Sequence, residues 1–164
     1  MITLVLAAAL LQEKTPDRPL QGPAAKCGSE IPWTTAIEDA QKRARETGRP
    51  IAWWVPSLER SPMDRKLVVE KYMLAGPFMM PAVVDLLAGR FVPLRLAGTA
   101  AHRKAYGLAP LEFIEPGFLV LKYDTTEIGR LDRISTFHEL WFVLVLNKIL
   151  AGQGELGQIG RAHV

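Results

Sequence analysis

A chain of 164 residues, 49% of them hydrophobic, can build one ordinary domain with its own core; this excludes a disordered chain and removes the need for metal or disulfide staples. Its 20 basic and 17 acidic residues leave a net charge of +3 and are spread along the chain. No Lys/Arg cluster reaches the density that tracks a phosphate backbone, so nucleic acid is not an expected partner.

Ile2 to Leu11 is an apolar run of signal-peptide length, too short to span a bilayer, and Ala7-Ala8-Ala9 supplies the small residues that a signal peptidase accepts. It lacks a basic flank. It reads as a signal peptide over 1–12, which exports the protein to the periplasm or beyond, or else as a buried N-terminal strand or an erroneous start site of a cytoplasmic protein. Residues 13–31 are rich in Pro, Gly and polar side chains and read as a linker. Cys27 in that linker is the single cysteine, which excludes an intrachain disulfide, a cysteine-based metal site and an internal Cys-x-x-Cys couple. The thiol is expected to be incidental, with a mixed disulfide to a partner as the alternative.

Trp33 to Glu46 carries an amphipathic helix pattern: Thr34 or Thr35 can cap it, Thr35 and Glu38 have capping-box spacing, and Ile37, Ala40 and Ala44 share one face. Gly48 ends it, and Pro50 to Val55, rich in β-branched and aromatic residues, predicts a buried strand in which Trp53 and Trp54 face opposite ways. Ser61 as N-cap, Pro62 at the first helical position and Asp64 as a capping acid open the next helix. Its Leu67, Val68, Tyr72 and Met73 are predicted to point inward, and Gly76-Pro77 breaks it. A short helix is expected over Met80 to Ala88, closed by Gly89, then a strand over Phe91 to Leu96, with Pro93 marking an edge or bulge. Thr99 caps a helix over Ala100 to Tyr106. Gly117 to Tyr123 and Glu127 to Leu131 form a hairpin about Asp124-Thr125-Thr126. Ser135 or Thr136 caps a last helix to about Leu150, whose Phe137, Leu140, Trp141, Leu144, Val145 and Ile149 are expected to pack on the sheet. Alternating elements, a hairpin and a closing helix predict an α/β sandwich with a mixed four-stranded sheet. Beyond Ala151, residues 152–164 read as a tail. Ile159 to Val164 resembles the translation of a common sequencing adapter (ATC GGA AGA GCA CAC GTC), so 158–164 is expected to be an artefact and the domain part of a longer protein.

This order of elements is similar to the thioredoxin fold. Trp33, Ala36, Ala40, Ala44 and Gly48-Arg49-Pro50 resemble the lead-in of bacterial thioredoxin-like proteins, and Phe91-Val92-Pro93-Leu94 resembles their next strand. Glu115-Pro116-Gly117-Phe118-Leu119-Val120-Leu121 resembles the segment where a cis-proline precedes a core strand, and Glu127-Ile128-Gly129-Arg130 the hairpin after it. The resemblance implies a thioredoxin-like domain over 32–151. Without gaps from Pro50, the family's Cys-Gly-Pro-Cys falls on Arg60-Ser61-Pro62-Met63, which keeps the proline and neither thiol. Thiol–disulfide exchange requires an attacking thiolate, which neither a guanidinium nor a thioether can become. A redox-inactive module is therefore expected, with no cofactor.

What the resemblance leaves is a shallow groove at the former active site, formed by Glu59, Arg60, Ser61, Pro62, Met63, Asp64, Glu115 and Pro116. Its expected occupant is an extended polypeptide or another domain of the same protein. The alternative is a thiol–disulfide relative that uses Cys27 or a cysteine outside this fragment; a third reading is a hydrolase built on Glu59, Asp64 and Glu115. His102 and His138 have no Cys, Asp or Glu at metal-ligand spacing, so no metal site is expected.

Overall fold

In the computed structural model, which describes residues 26–59, 66–108, 117–131, 134 and 136–152, Ile51–Val55 forms strand β1 with all five side chains buried. A continuous apolar run has that outcome when both faces of its strand are covered. Further along the chain come β2 (Val92–Arg95), β3 (Gly117–Leu121) and β4 (Glu127–Leu131). β1 pairs in parallel with β2 and antiparallel with β3, which pairs antiparallel with β4. The sheet order is β2-β1-β3-β4, so β3 runs against the other three.

Helices α1 (Ile37–Thr47) and α4 (Ala100–Tyr106) cover one face, where Ala40, Ala44 and Tyr106 pack with Trp53, Leu94 and Leu119. Helices α2 (Lys66–Ala75), α3 (Pro81–Arg90) and α5 (Glu139–Leu150) cover the other, packing on Trp54, Phe118 and Val120. The two adjacent tryptophans of β1 thus anchor opposite layers, as strand alternation requires. This is the three-layer α/β sandwich of the thioredoxin-like fold. The packed chain reaches back to Ile31, which is buried, and to Cys27, which lies partly covered against the α2/α3/α5 layer. Among the described residues no single helix is long and apolar enough to cross a membrane.

Several local expectations are corrected. α1 begins at Ile37, not Trp33, and its N-cap Ala36 supplies no side-chain bond. Thr34 is engaged elsewhere: its amide and hydroxyl both donate to the Pro93 carbonyl at 2.8 Å, and its own carbonyl accepts from the Arg95 amide at 2.9 Å. Thr34 therefore extends the sheet by one bridge beyond β2, the edge position that Pro93 predicts. α3 runs through Gly89 to Arg90, because Arg49 donates to the Ala88 and Gly89 carbonyls that a glycine cap would otherwise satisfy.

The inward faces of α2 and α5 also differ from expectation. Val68 and Tyr72 are 51% and 60% exposed, while Met73 and Leu74 are buried. Glu70 sets this rotation by accepting from Arg95 Nε and Nη2 at 2.9 and 2.7 Å, tying α2 to the end of the edge strand. The Leu67 side chain and the Ser61, Pro62 and Asp64 cap lie outside the described residues. In α5, Phe142, Val145, Leu146 and Ile149 are buried, at i, i+3, i+4 and i+7. Phe137, Leu140 and Leu144 stay exposed. The helix starts late because His138 is its N-cap: His138 Nδ1 accepts from the Leu140 amide at 3.3 Å, and Thr136 Oγ1 accepts from the His138 amide at 3.1 Å. Ser135 lies outside the described residues.

Gly129 explains how close α5 comes to β4. A Cβ at that position would lie 2.7 Å from Ile149 Cγ2 and 3.0 Å from its Cγ1, and Ile149 is a buried, stiff side chain with little room to turn. Gly129→Ala is expected to lower unfolding free energy by about 1–3 kcal/mol through overpacking. The check is a urea titration in which the midpoint falls while the slope stays constant.

Candidate functional site

At one end of the sheet, the exit of β1 lies beside the entrance of β3. Val55, the last residue of β1, is paired with Gly117, the first of β3. Of the eight groove residues read from the sequence, Glu59 is described; Arg60, Ser61, Pro62, Met63, Asp64, Glu115 and Pro116 lie outside the described residues.

Glu59 is fixed by the first turn of α4. Its amide donates to the Gly98 carbonyl at 2.7 Å, and Gly98 in turn donates to the Ser57 carbonyl at 2.8 Å. Leu58 and Gly98 form a parallel bridge, and a Cβ on Gly98 would lie 2.6 Å from Leu58 Cδ2, so glycine permits this close approach. Glu59 Oε2 accepts from the Ala100 amide at 3.2 Å, and Arg103 Nη1 donates to the Glu59 carbonyl at 3.4 Å. A carboxylate on the unpaired amides of a helix start is a favourable placement. The Glu59 carboxylate thus has a structural task at the start of α4.

The same helix start contains a residue whose role sequence reading missed. Thr99 Oγ1 accepts from the His102 amide at 3.2 Å, while His102 Nδ1 accepts from the Thr99 amide at 3.3 Å. This is a capping box with histidine where glutamate or glutamine is usual. The signal was the spacing Thr99-x-x-His102, which is silent as long as histidine is considered only as a ligand or catalyst. The His102 ring stands edge-on to Trp53, centroids 4.9 Å apart. Burial pushes its pKa below the usual imidazole value against the opposing pull of Glu38.

Trp54 is fully buried among Phe78 and Phe118, and its indole N–H has no hydrogen-bond partner among the described residues. Cys27 lies partly covered against the α2/α3/α5 layer, and its neighbour Gly28 abuts Leu74 and Phe78, at and just beyond the C-terminal end of α2.

No protein-family model matches the chain, and no curated protein matches it. Among solved structures, one titled "DsbH Oxidoreductase" is similar at 8% sequence identity, covering 82% of this chain and 92% of its own, with a TM-score of 0.48. The fold assignment rests on the strand order and directions given above.

Glu59→Ala removes the acceptor from the α4 start and is expected to cost about 0.5–2 kcal/mol of stability, the range for a lost helix cap. Glu59→Gln, which keeps an oxygen acceptor, is expected to lose less. Equal losses in paired denaturation curves would assign the effect to the carboxylate charge instead.

Proposed function

We propose that this chain is a redox-inactive thioredoxin-like domain that acts as a protein-binding or structural module within a longer protein. One observation carries the reading: in a chain with this sheet order, the dithiol position reads Arg60-Ser61-Pro62-Met63. Neither Arg60 nor Met63 offers a thiolate. Cys27, the single cysteine, supports the same reading: it lies partly covered against the α2/α3/α5 layer, and the chain holds no second thiol to resolve a mixed disulfide. The groove residues 59–64 and 115–116 then remain as a surface for an extended polypeptide or a neighbouring domain. Recognition there runs through main-chain groups and proceeds without a thiol.

In an insulin-reduction assay with dithiothreitol, the wild-type chain is expected to match the protein-free rate, and Cys27→Ser to change nothing. Turnover abolished by Cys27→Ser would overturn the reading. A gain-of-function variant tests the alignment itself. The double substitution Arg60→Cys with Met63→Cys is expected to form an intrachain disulfide and to acquire insulin-reducing activity above the wild-type background. A double variant whose two thiols stay reduced under air shows that 60 and 63 do not occupy the dithiol geometry.

A further inference from the structure

The start of α4 has two properties not explained by capping alone. It holds Glu59, the residue from which the candidate loop departs, through the Ala100 amide and the Arg103 side chain. It also closes its own first turn with a titratable acceptor, His102 Nδ1. We propose that the Thr99–His102 capping box is a proton-operated latch, in which neutral His102 keeps the first turn of α4 closed on Glu59 and protonation of the imidazole releases it.

The chemistry follows from the hydrogen-bond inventory. Nδ1 accepts the Thr99 amide only while it carries no proton, which places the ring hydrogen on Nε2. On protonation both ring nitrogens become donors, so Nδ1–H faces the Thr99 N–H and the bond turns into a repulsion. The new cation also sits in the first turn of a helix, where the backbone dipole disfavours positive charge. A glutamate or glutamine at this position would not respond in this way near neutral pH.

The surroundings decide how readily the latch opens. From α1, the Glu38 carboxylate favours the cation. From the segment after β1, the Glu59 carboxylate lies on the same helix turn. On α4 itself, Arg103 and Lys104 oppose the cation, while Trp53 from β1 and Tyr106 from α4 present uncharged rings. Desolvation outweighs Glu38 and holds the His102 pKa below its usual value. The unfolded chain therefore binds more protons in the window just under pH 6.5. Stability of this turn is fully present above that window and is lost as pH falls through it.

The inference is independent of the proposed binding role and is tested on the full chain by amide hydrogen exchange at pH 7.5 and 5.5, corrected for intrinsic rates. Protection at Thr99, Ala100 and Glu59 is expected to fall about fivefold at the lower pH, the loss that corresponds to one capping interaction of about 1 kcal/mol. His102→Gln supplies a non-titrating acceptor and is expected to keep its protection at both pH values. Unchanged wild-type protection, or the same loss in His102→Gln, overturns the latch. Should that variant fail to fold, the wild-type NMR titration decides: the Thr99 amide proton shift must follow the His102 ring with one midpoint, and a shift indifferent to the ring refutes the proposal.

Discussion

Burial of β1 on both faces is the constraint from which the rest of the molecule follows. Its five residues are fully covered, and each flanking strand satisfies one of its backbone edges. A strand in that position has to be apolar throughout, and it has to receive a helical layer above and below. Trp53 and Trp54 set the scale. At about 150–250 Å² per buried ring and about 25 cal/mol per Å², each contributes on the order of 4–6 kcal/mol as an upper bound. That is comparable with the whole net stability of a small domain, so the two rings commit the chain to a sandwich rather than a one-sided sheet. The aromatic set continues on the α2/α3/α5 side, where Trp33, Trp54, Phe78, Phe118 and Phe142 meet in successive edge-on or tilted pairs.

With the centre fixed, the remaining polar interactions are concerned with edges and ends. At the β2 edge, Pro93 cannot donate, and Thr34 occupies its carbonyl from outside. Arg95, at the end of the same strand, reaches Glu70 and thereby sets the rotation of α2. At the β4 edge, Arg130 pairs with Glu127 and also donates to the Tyr106 carbonyl at 2.7 Å, joining the sheet to the end of α4. Arg49 closes α3 in the same manner. Surface ion pairs contribute little each, so their value here is orientation: each selects one of several nearly equivalent ways to lay an apolar helix on the sheet.

That distinction explains what could be read from the sequence. Strands were legible because β1 and β3 are continuous apolar runs and because Asp124-Thr125-Thr126 has only one sensible reading as a turn. The edge position of β2 followed from one proline. Helix faces were not legible, since α2 and α5 are apolar nearly all round and several stripes compete. The winning stripe was set by Glu70–Arg95 in one case and by the missing Cβ of Gly129 in the other, both of them long-range facts. Caps failed for a related reason. Thr34 has cap chemistry, yet its hydroxyl serves the sheet edge, while His138 and His102, which have unusual cap chemistry, sit at true helix starts. Around the candidate segment, the fold adds the pairing of Val55 with Gly117 and the anchoring of Glu59, neither of which is visible in the sequence because both depend on contacts between residues far apart in the chain.

The anchors of the sandwich are spread over separate elements. The ring cluster lies under the sheet, the Glu70–Arg95 tie grips α2 one turn into the helix, and the α4 start holds the strand exit at Glu59. Each anchor acts on a different element, so the layers are fixed from several directions at once. Trp53, Trp54 and Gly129 are the positions least tolerant of change, because they determine whether the layers close at all.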